Sequence, residues 1–284
     1  MKVLVTGASG QLGWDVCREL ERREIEHKGV SSRDFDLTDP EAVRRYVMGY
    51  APDAVIHCAA YTAVDKAEDE PERCQGVNTG GTQVIARCCQ ELGAKMLFTS
   101  TDYVFSGSGE SLYETNDPTG ALNVYGRSKA EGEKAVRNTL ERYFIVRISW
   151  MFGKNGNNFV KTMLRFGKKN PIMRITGDQF GSPTYTVDLA PLLCDMVTTE
   201  KYGTYHATNE GICTWAEFAQ EIFDQAGMAV SVTPRPTLEY PSKAVRPYNS
   251  RMSKKSLDEA GFSRLPHWKD ALRRYLEELK SESY

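Results

Sequence analysis

Lys2-Val3-Leu4-Val5-Thr6-Gly7-Ala8-Ser9-Gly10-Gln11-Leu12-Gly13 opens the chain with a short apolar run, a glycine-rich break and the first turn of a helical pattern. Over Gln11–Arg22, Leu12, Val16, Cys17 and Leu20 recur at helical spacing. The break therefore lies between a strand and a helix. Gly7 permits the tight turn, Gly10 lets backbone approach a ligand, and Gly13 lets the helix pack on the strand. A helix N-terminus offers free N–H groups and the positive end of a dipole, which suits a pyrophosphate. In that context the pattern reads as a dinucleotide-binding loop, with Gly7, Ser9, Gly10, Gln11, Leu12 and Gly13 as cofactor contacts.

The units that follow repeat this rhythm. Strands are expected at 27–30, Ala54–His57, 95–100 and 144–148, and helices at Pro40–Tyr50, 78–91 and 123–137. Pro40 suits a first helical position, where its missing N–H costs least. Alternating strand and helix implies an α/β fold, a Rossmann-type doubly wound parallel sheet covered on both faces. After Ser149 the rhythm loosens. A Gly/Asn-rich loop occupies 153–158, a strand is expected at 173–176, and Thr214-Trp215-Ala216-Glu217 has capping-box spacing ahead of a helix. Four prolines between Thr233 and Pro247 indicate an extended, irregular stretch. The expected organisation is a dinucleotide-binding domain over 1–150. A smaller substrate-binding lobe spans 151–284, with some segments returning to the first domain.

Composition narrows the partners. Lys and Arg total 36 against 38 Asp and Glu, a net charge of −2 with no basic stripe, which argues against nucleic acid. No run reaches the length of a membrane span, and the residues before Gly7 are too few for a signal peptide. The seven cysteines form no CxxC and the four histidines are scattered, so no zinc site is expected. These cysteines read as buried thiols of a cytoplasmic protein.

Cofactor choice is read at the end of the second strand, Val30-Ser31-Ser32-Arg33. It has no acid to hold a ribose 2′-OH. Ser31 and Arg33 are expected to accommodate a 2′-phosphate, which favours NADPH with NADH tolerated.

Tyr125 and Lys129 in Asn123-Val124-Tyr125-Gly126-Arg127-Ser128-Lys129 lie four positions apart, on one helix face. A phenol titrates near pH 10, and a neighbouring ammonium is expected to lower that value into a useful range for proton transfer. With the glycine loop complete and the tyrosine–lysine pair in place, the chain resembles the extended short-chain dehydrogenase/reductase family over its whole length. The resemblance implies Thr101 as third catalytic residue beside Tyr125 and Lys129, its hydroxyl holding a substrate carbonyl.

Four further stretches resemble the dTDP-4-dehydrorhamnose reductase group of that family: 59–68, 100–105, Ser149-Trp150 with 156–159, and 246–251. By that resemblance Ala59, Ala60, Tyr61 and Thr62 line the cofactor, and Asp36 and Leu37 lie near its adenine. Val64, Thr101, Asp102, Tyr103 and Trp150 face the sugar of a dTDP-sugar, and Asn249 and Arg251 help bind its diphosphate. The implied reaction is NAD(P)H-dependent reduction at C4. The related 4,6-dehydratases carry a glutamate where Tyr103 stands, and the fucose-synthase group a cysteine where Asp102 stands. The alternatives are another sugar-nucleotide 4-ketoreductase or epimerase, and a non-catalytic nicotinamide-binding subunit. Some members carry Mg²⁺ at a dimer interface. Asp15 and Asp188 match two of those positions, but Lys269 or Asp270 stands at the third, so no metal is expected and the two aspartates read as exposed helix residues. The chain is expected to be a monomer or homodimer.

Overall fold

The computed structural model describes residues 1–281. Six parallel strands form the central sheet in the order Gly203–His206, β5 (Tyr143–Ile148), β4 (Lys95–Thr101), β3 (Ala54–His57), β1 (Lys2–Thr6), β2 (Glu26–Val30). β3 and β4 are central, and β3 is buried at all four positions. That explains its unbroken apolar reading Ala54-Val55-Ile56, since a strand covered on both faces needs no alternation. β2 is an edge strand, and only Val30 of its five residues is buried.

Helices α1 (Gln11–Arg22) and α2 (Pro40–Tyr50) begin and end where the residue pattern places them. Asp39 caps α2 by accepting from Glu41 N and Ala42 N. The expected helix over 78–91 proves to be the later part of a longer run and opens in a π turn. After a short turn α3 (Val64–Ala67), α4 (Pro71–Gln75) runs through a π-helical turn at Gly76–Gly81 into α5 (Thr82–Leu92). Wide π turns concentrate at functional sites. This one directs Asn78 inward, where its Oδ1 accepts from Tyr61 N at 2.8 Å and its Nδ2 donates to Ser128 Oγ at 2.9 Å. It thus couples the loop after β3 to α6 (Val124–Thr139), the helix that carries Tyr125 and Lys129.

The last sheet strand, Gly203–His206, comes from beyond residue 150, and the helix Thr186–Thr198 packs on α1. The remaining residues gather around a second core in which Phe152, Phe218, Phe223, Trp268 and Tyr275 are buried. There Thr214 and Glu217 form the expected capping box of the helix Trp215–Ala226. Within the proline-rich stretch, Ser231–Arg235 pairs in parallel with Ile172–Thr176, so that stretch is partly regular.

Two aspartates depart from expectation. Asp15 is buried rather than exposed, and burial pushes its carboxyl up. Asp188 is largely covered, with both oxygens accepting from Arg274 at 2.7 Å. The acid facing Asp15 is Glu278, which accepts from Tyr185 Oη at 2.7 Å, and not Lys269 or Asp270. A guanidinium already neutralises the Asp188 carboxylate. No group of three His, Cys, Asp or Glu among the described residues is arranged to hold a metal ion.

His57 and His206 are fully buried on the sheet, and burial pulls both imidazoles down to about 3. His206 Nε2 lies 3.3 Å from Arg147 Nη1, a donor, which leaves Nδ1 to donate to Ser253 O at 3.1 Å. Unfolded, each histidine binds a proton below about 6.5 while the folded form stays neutral. Each therefore removes stability as pH falls from about 6.5 toward 3, by roughly 1.4 kcal/mol per pH unit. His206→Gln is expected to flatten the denaturant-derived stability profile between pH 6 and 4 by about one proton's slope. An unchanged slope would show that His206 titrates in the folded state.

Candidate active site

A cavity of about 710 Å³ opens at the carboxyl ends of β1 to β5, where doubly wound sheets hold their ligands. Its floor is the glycine loop. Gly7 has φ +72°, and a Cβ there would stand 2.7 Å from Ala59 N, so both conformation and space demand glycine. A Cβ on Gly13 would collide with the Gly7 carbonyl, so this glycine seats α1 on its own loop rather than on the strand. No side chain caps α1. Ser9, Gly10, Gln11 and Leu12 all reach the cavity wall at that N-terminus, and the cradle fits a pyrophosphate.

The wall also includes Ser31, Asp36 and Leu37 toward the outer end, and Ala59, Ala60 and Thr62 after β3. Val64, Thr101, Asp102, Tyr103 and Trp150 join Tyr125 and Lys129 at the inner end. Four expected residues lie outside this wall. Arg33 is on an exposed turn, its backbone N–H donating to Ser31 Oγ. Tyr61 turns its hydroxyl to Glu70 Oε2 at 2.9 Å. Asn249 donates to Ser111 O at 2.8 Å, and the Arg251 guanidinium lies 4.1 Å from the Phe180 ring centroid. The last two fasten the segment near residues 108–113 to the strap at 246–251.

Thr101 ends β4, Asp102 begins a single 3₁₀ turn, and Tyr125 and Lys129 stand on the first turns of α6, which Asn123 caps. A Cβ on Gly126 would meet the Tyr103 carbonyl, so that glycine allows α6 to close on the 3₁₀ turn. Tyr103 and Tyr125 meet edge to face at 5.7 Å. Lys129 Nζ donates to Thr99 O at 2.7 Å and lies 3.9 Å from the Phe98 ring centroid. Burial pulls this ammonium down to about 7.

The phenol of Tyr125 moves opposite to the sequence expectation. Burial drives it well above its ordinary value, Asp102 and Tyr103 add to the rise, and only the Thr101 hydroxyl opposes them. The charge of Lys129 is weakened by burial and directed at Thr99 and Phe98. Tyr125 is thus a neutral phenol at physiological pH, the form that gives a proton away. Asp102 is pushed up to about 6 by burial, against donation from Ser250 Oγ at 2.5 Å and Thr101 Oγ1 at 2.9 Å.

Trp150 takes φ +49°, which a bulky residue holds only where its surroundings enforce it. The enforcing partner is Trp215, stacked at 3.8 Å and 16°. Trp215 itself lines the cavity, and so does Arg73 of α4. Neither is marked in the sequence: Trp215 reads as the first residue of a capped helix, and Arg73 as one exposed charge among many.

The RmlD substrate binding domain model matches residues 1–281. The chain belongs to this family. Among relatives of this RmlD-domain chain, a Bacillus subtilis spore coat polysaccharide biosynthesis protein, SpsK, is 40% identical, covering 99% of this chain and 98% of that protein. A dTDP-4-dehydrorhamnose reductase of Streptomyces griseus is 41% identical, over 95% and 91% respectively. The crystal structure of a Bacillus anthracis dTDP-4-dehydrorhamnose reductase in complex with NADP superposes with TM-score 0.94 at 41% identity, covering 98% of this chain and 99% of that one.

Proposed function

We propose that this chain reduces the C4 carbonyl of dTDP-4-dehydro-L-rhamnose to dTDP-L-rhamnose, using NADPH and tolerating NADH, as a cytoplasmic step toward cell-surface polysaccharide. The observation that carries this reading is full-length similarity to enzymes of that name, joined to a cavity that gathers Thr101, Tyr125 and Lys129. Residues 1–150 mainly hold the cofactor and 151–284 mainly the sugar nucleotide.

The cradle of Gly7, Gly10 and Gly13 would hold the cofactor's pyrophosphate, and the bound nicotinamide supplies the hydride. The chain's own residues supply the rest. Thr101 positions the carbonyl oxygen, and Tyr125 gives its proton to that oxygen as negative charge develops there. Lys129, deep in the same wall, helps orient the cofactor's ribose. Tyr103 stands where the related dehydratases place glutamate, and Asp102 where the fucose-synthase group places cysteine. The site therefore has the groups for carbonyl reduction without the added acid–base pair of those enzymes. Purified protein should oxidise NADPH when given dTDP-4-dehydro-L-rhamnose and release dTDP-L-rhamnose. Cofactor binding with no turnover would identify it as a binding protein instead.

A further inference from the structure

We propose that Arg73 of α4, and not Arg33, is the cation that receives the 2′-phosphate of the cofactor's adenosine ribose, an assignment resting on the nicotinamide reading above. Arg73 lines the same wall as Ser31, Ser32, Asp36 and Leu37, whereas Arg33, next to Ser32 in sequence, does not. Its guanidinium is available. The nearest acid, Glu70, stands 4.0 Å away, at the limit of an ion pair. Glu70 is already engaged by Lys66 at 2.8 Å and by the Tyr61 hydroxyl at 2.9 Å. The Arg73 side chain is 68% exposed, so phosphate binding needs no buried contact to be broken.

The charge pattern makes this cation matter. Asp36 lies in the same stretch of wall, and donation from Thr38 N at 2.9 Å and Thr38 Oγ1 at 2.8 Å holds its carboxyl below the usual range. Arg73 adds to that lowering. Asp36 is therefore a fixed anion beside the adenosine end. A ribose hydroxyl tolerates such a neighbour, but a phosphate dianion is repelled by it unless a cation stands with it. Arg73 supplies that cation in fork geometry, which matches phosphate oxygens in pairs. One wall thus carries an acid compatible with NADH and an arginine that admits NADPH. Removing Arg73 leaves Asp36 unopposed and should penalise only the phosphorylated cofactor.

The test is equilibrium titration of NADPH and of NADH into the intact protein, followed by quenching of the fluorescence of Trp150 and Trp215. Arg73→Ala should weaken NADPH about tenfold or more and NADH by no more than about twofold. Arg73→Lys should recover part of the NADPH affinity, since a point charge replaces part of the fork. Equal weakening of both cofactors would reduce Arg73 to a stacking surface for adenine and overturn the assignment. So would a selective NADPH loss in Arg33→Ala that is missing from Arg73→Ala. Wild-type protein that binds neither cofactor would overturn the nicotinamide reading itself, and this assignment with it.

Discussion

Tyr125→Phe is expected to lower kcat by about 10²-fold or more while leaving the affinity for NADPH within about twofold of wild type. The phenol is half-buried and its pKa is raised by the partial loss of water around it, so at neutral pH it is fully protonated and poised to donate. No neighbour replaces it. The Thr101 hydroxyl is a far weaker acid than a phenol, and Tyr103 is a half-buried phenol whose pKa is itself raised. The phenylalanine keeps the ring and its edge-to-face contact with Tyr103, so the loss isolates proton donation from packing. Near-wild-type turnover in this variant would remove Tyr125 from the mechanism.

Arg147→Met is expected to destabilise the fold by about 3–5 kcal/mol, because it strands a buried carboxylate. Arg147 on β5 meets Glu133 on α6 through two hydrogen bonds, Nε to Oε1 at 2.8 Å and Nη2 to Oε2 at 2.7 Å. Their side chains are 2% and 0% exposed. Burial pushes the Glu133 carboxyl up, and the hydrogen bonds and charge of Arg147 reverse that and hold it below its ordinary range. Arg137, partly exposed, reaches the same carboxylate at 2.9 Å and only partly compensates. Pairing Arg147→Met with Glu133→Leu should recover much of the loss, since two apolar groups of similar size leave no unpaired charge. Urea denaturation of the single and double variants checks this. A single-variant loss below about 1 kcal/mol would mean that the pair is not what fastens α6 to the sheet. That fastening bears on chemistry, because α6 carries Tyr125 about two turns and Lys129 about one turn before Glu133.

Local signals were the legible part of this molecule. The β1–α1 turn, the Pro40 helix and the Thr214 capping box each depend on residues a few positions apart, and each forms as read. The alternation of elements likewise dictates the parallel sheet. What escaped the reading depends on distant partners. Asp15 looked like an exposed helix residue because Thr186 and Glu278, which surround it, lie far along the chain. The direction of the Tyr125 shift depends on how deeply α6 sinks against the 3₁₀ turn, and helical spacing carries no depth. Arg33 and Arg73 are both charged residues on exposed local sequence. Which of the two lines the cavity depends on how α4 packs in the fold, and Arg73 does while Arg33 does not. The segment Gly76-Val77-Asn78-Thr79-Gly80-Gly81 holds three glycines and little apolar pattern, so its wide turn had no periodic signature.

The proposed reaction is tested most directly by isotope placement. NADPH carrying deuterium at its transferable position, incubated with the protein and dTDP-4-dehydro-L-rhamnose, should yield dTDP-L-rhamnose with one deuterium at C4. A parallel incubation in D₂O with ordinary NADPH should place no enzyme-dependent deuterium at C3 or C5. Enzyme-dependent solvent deuterium at C3 or C5, or product lacking label at C4, would contradict simple carbonyl reduction by Tyr125 and Thr101.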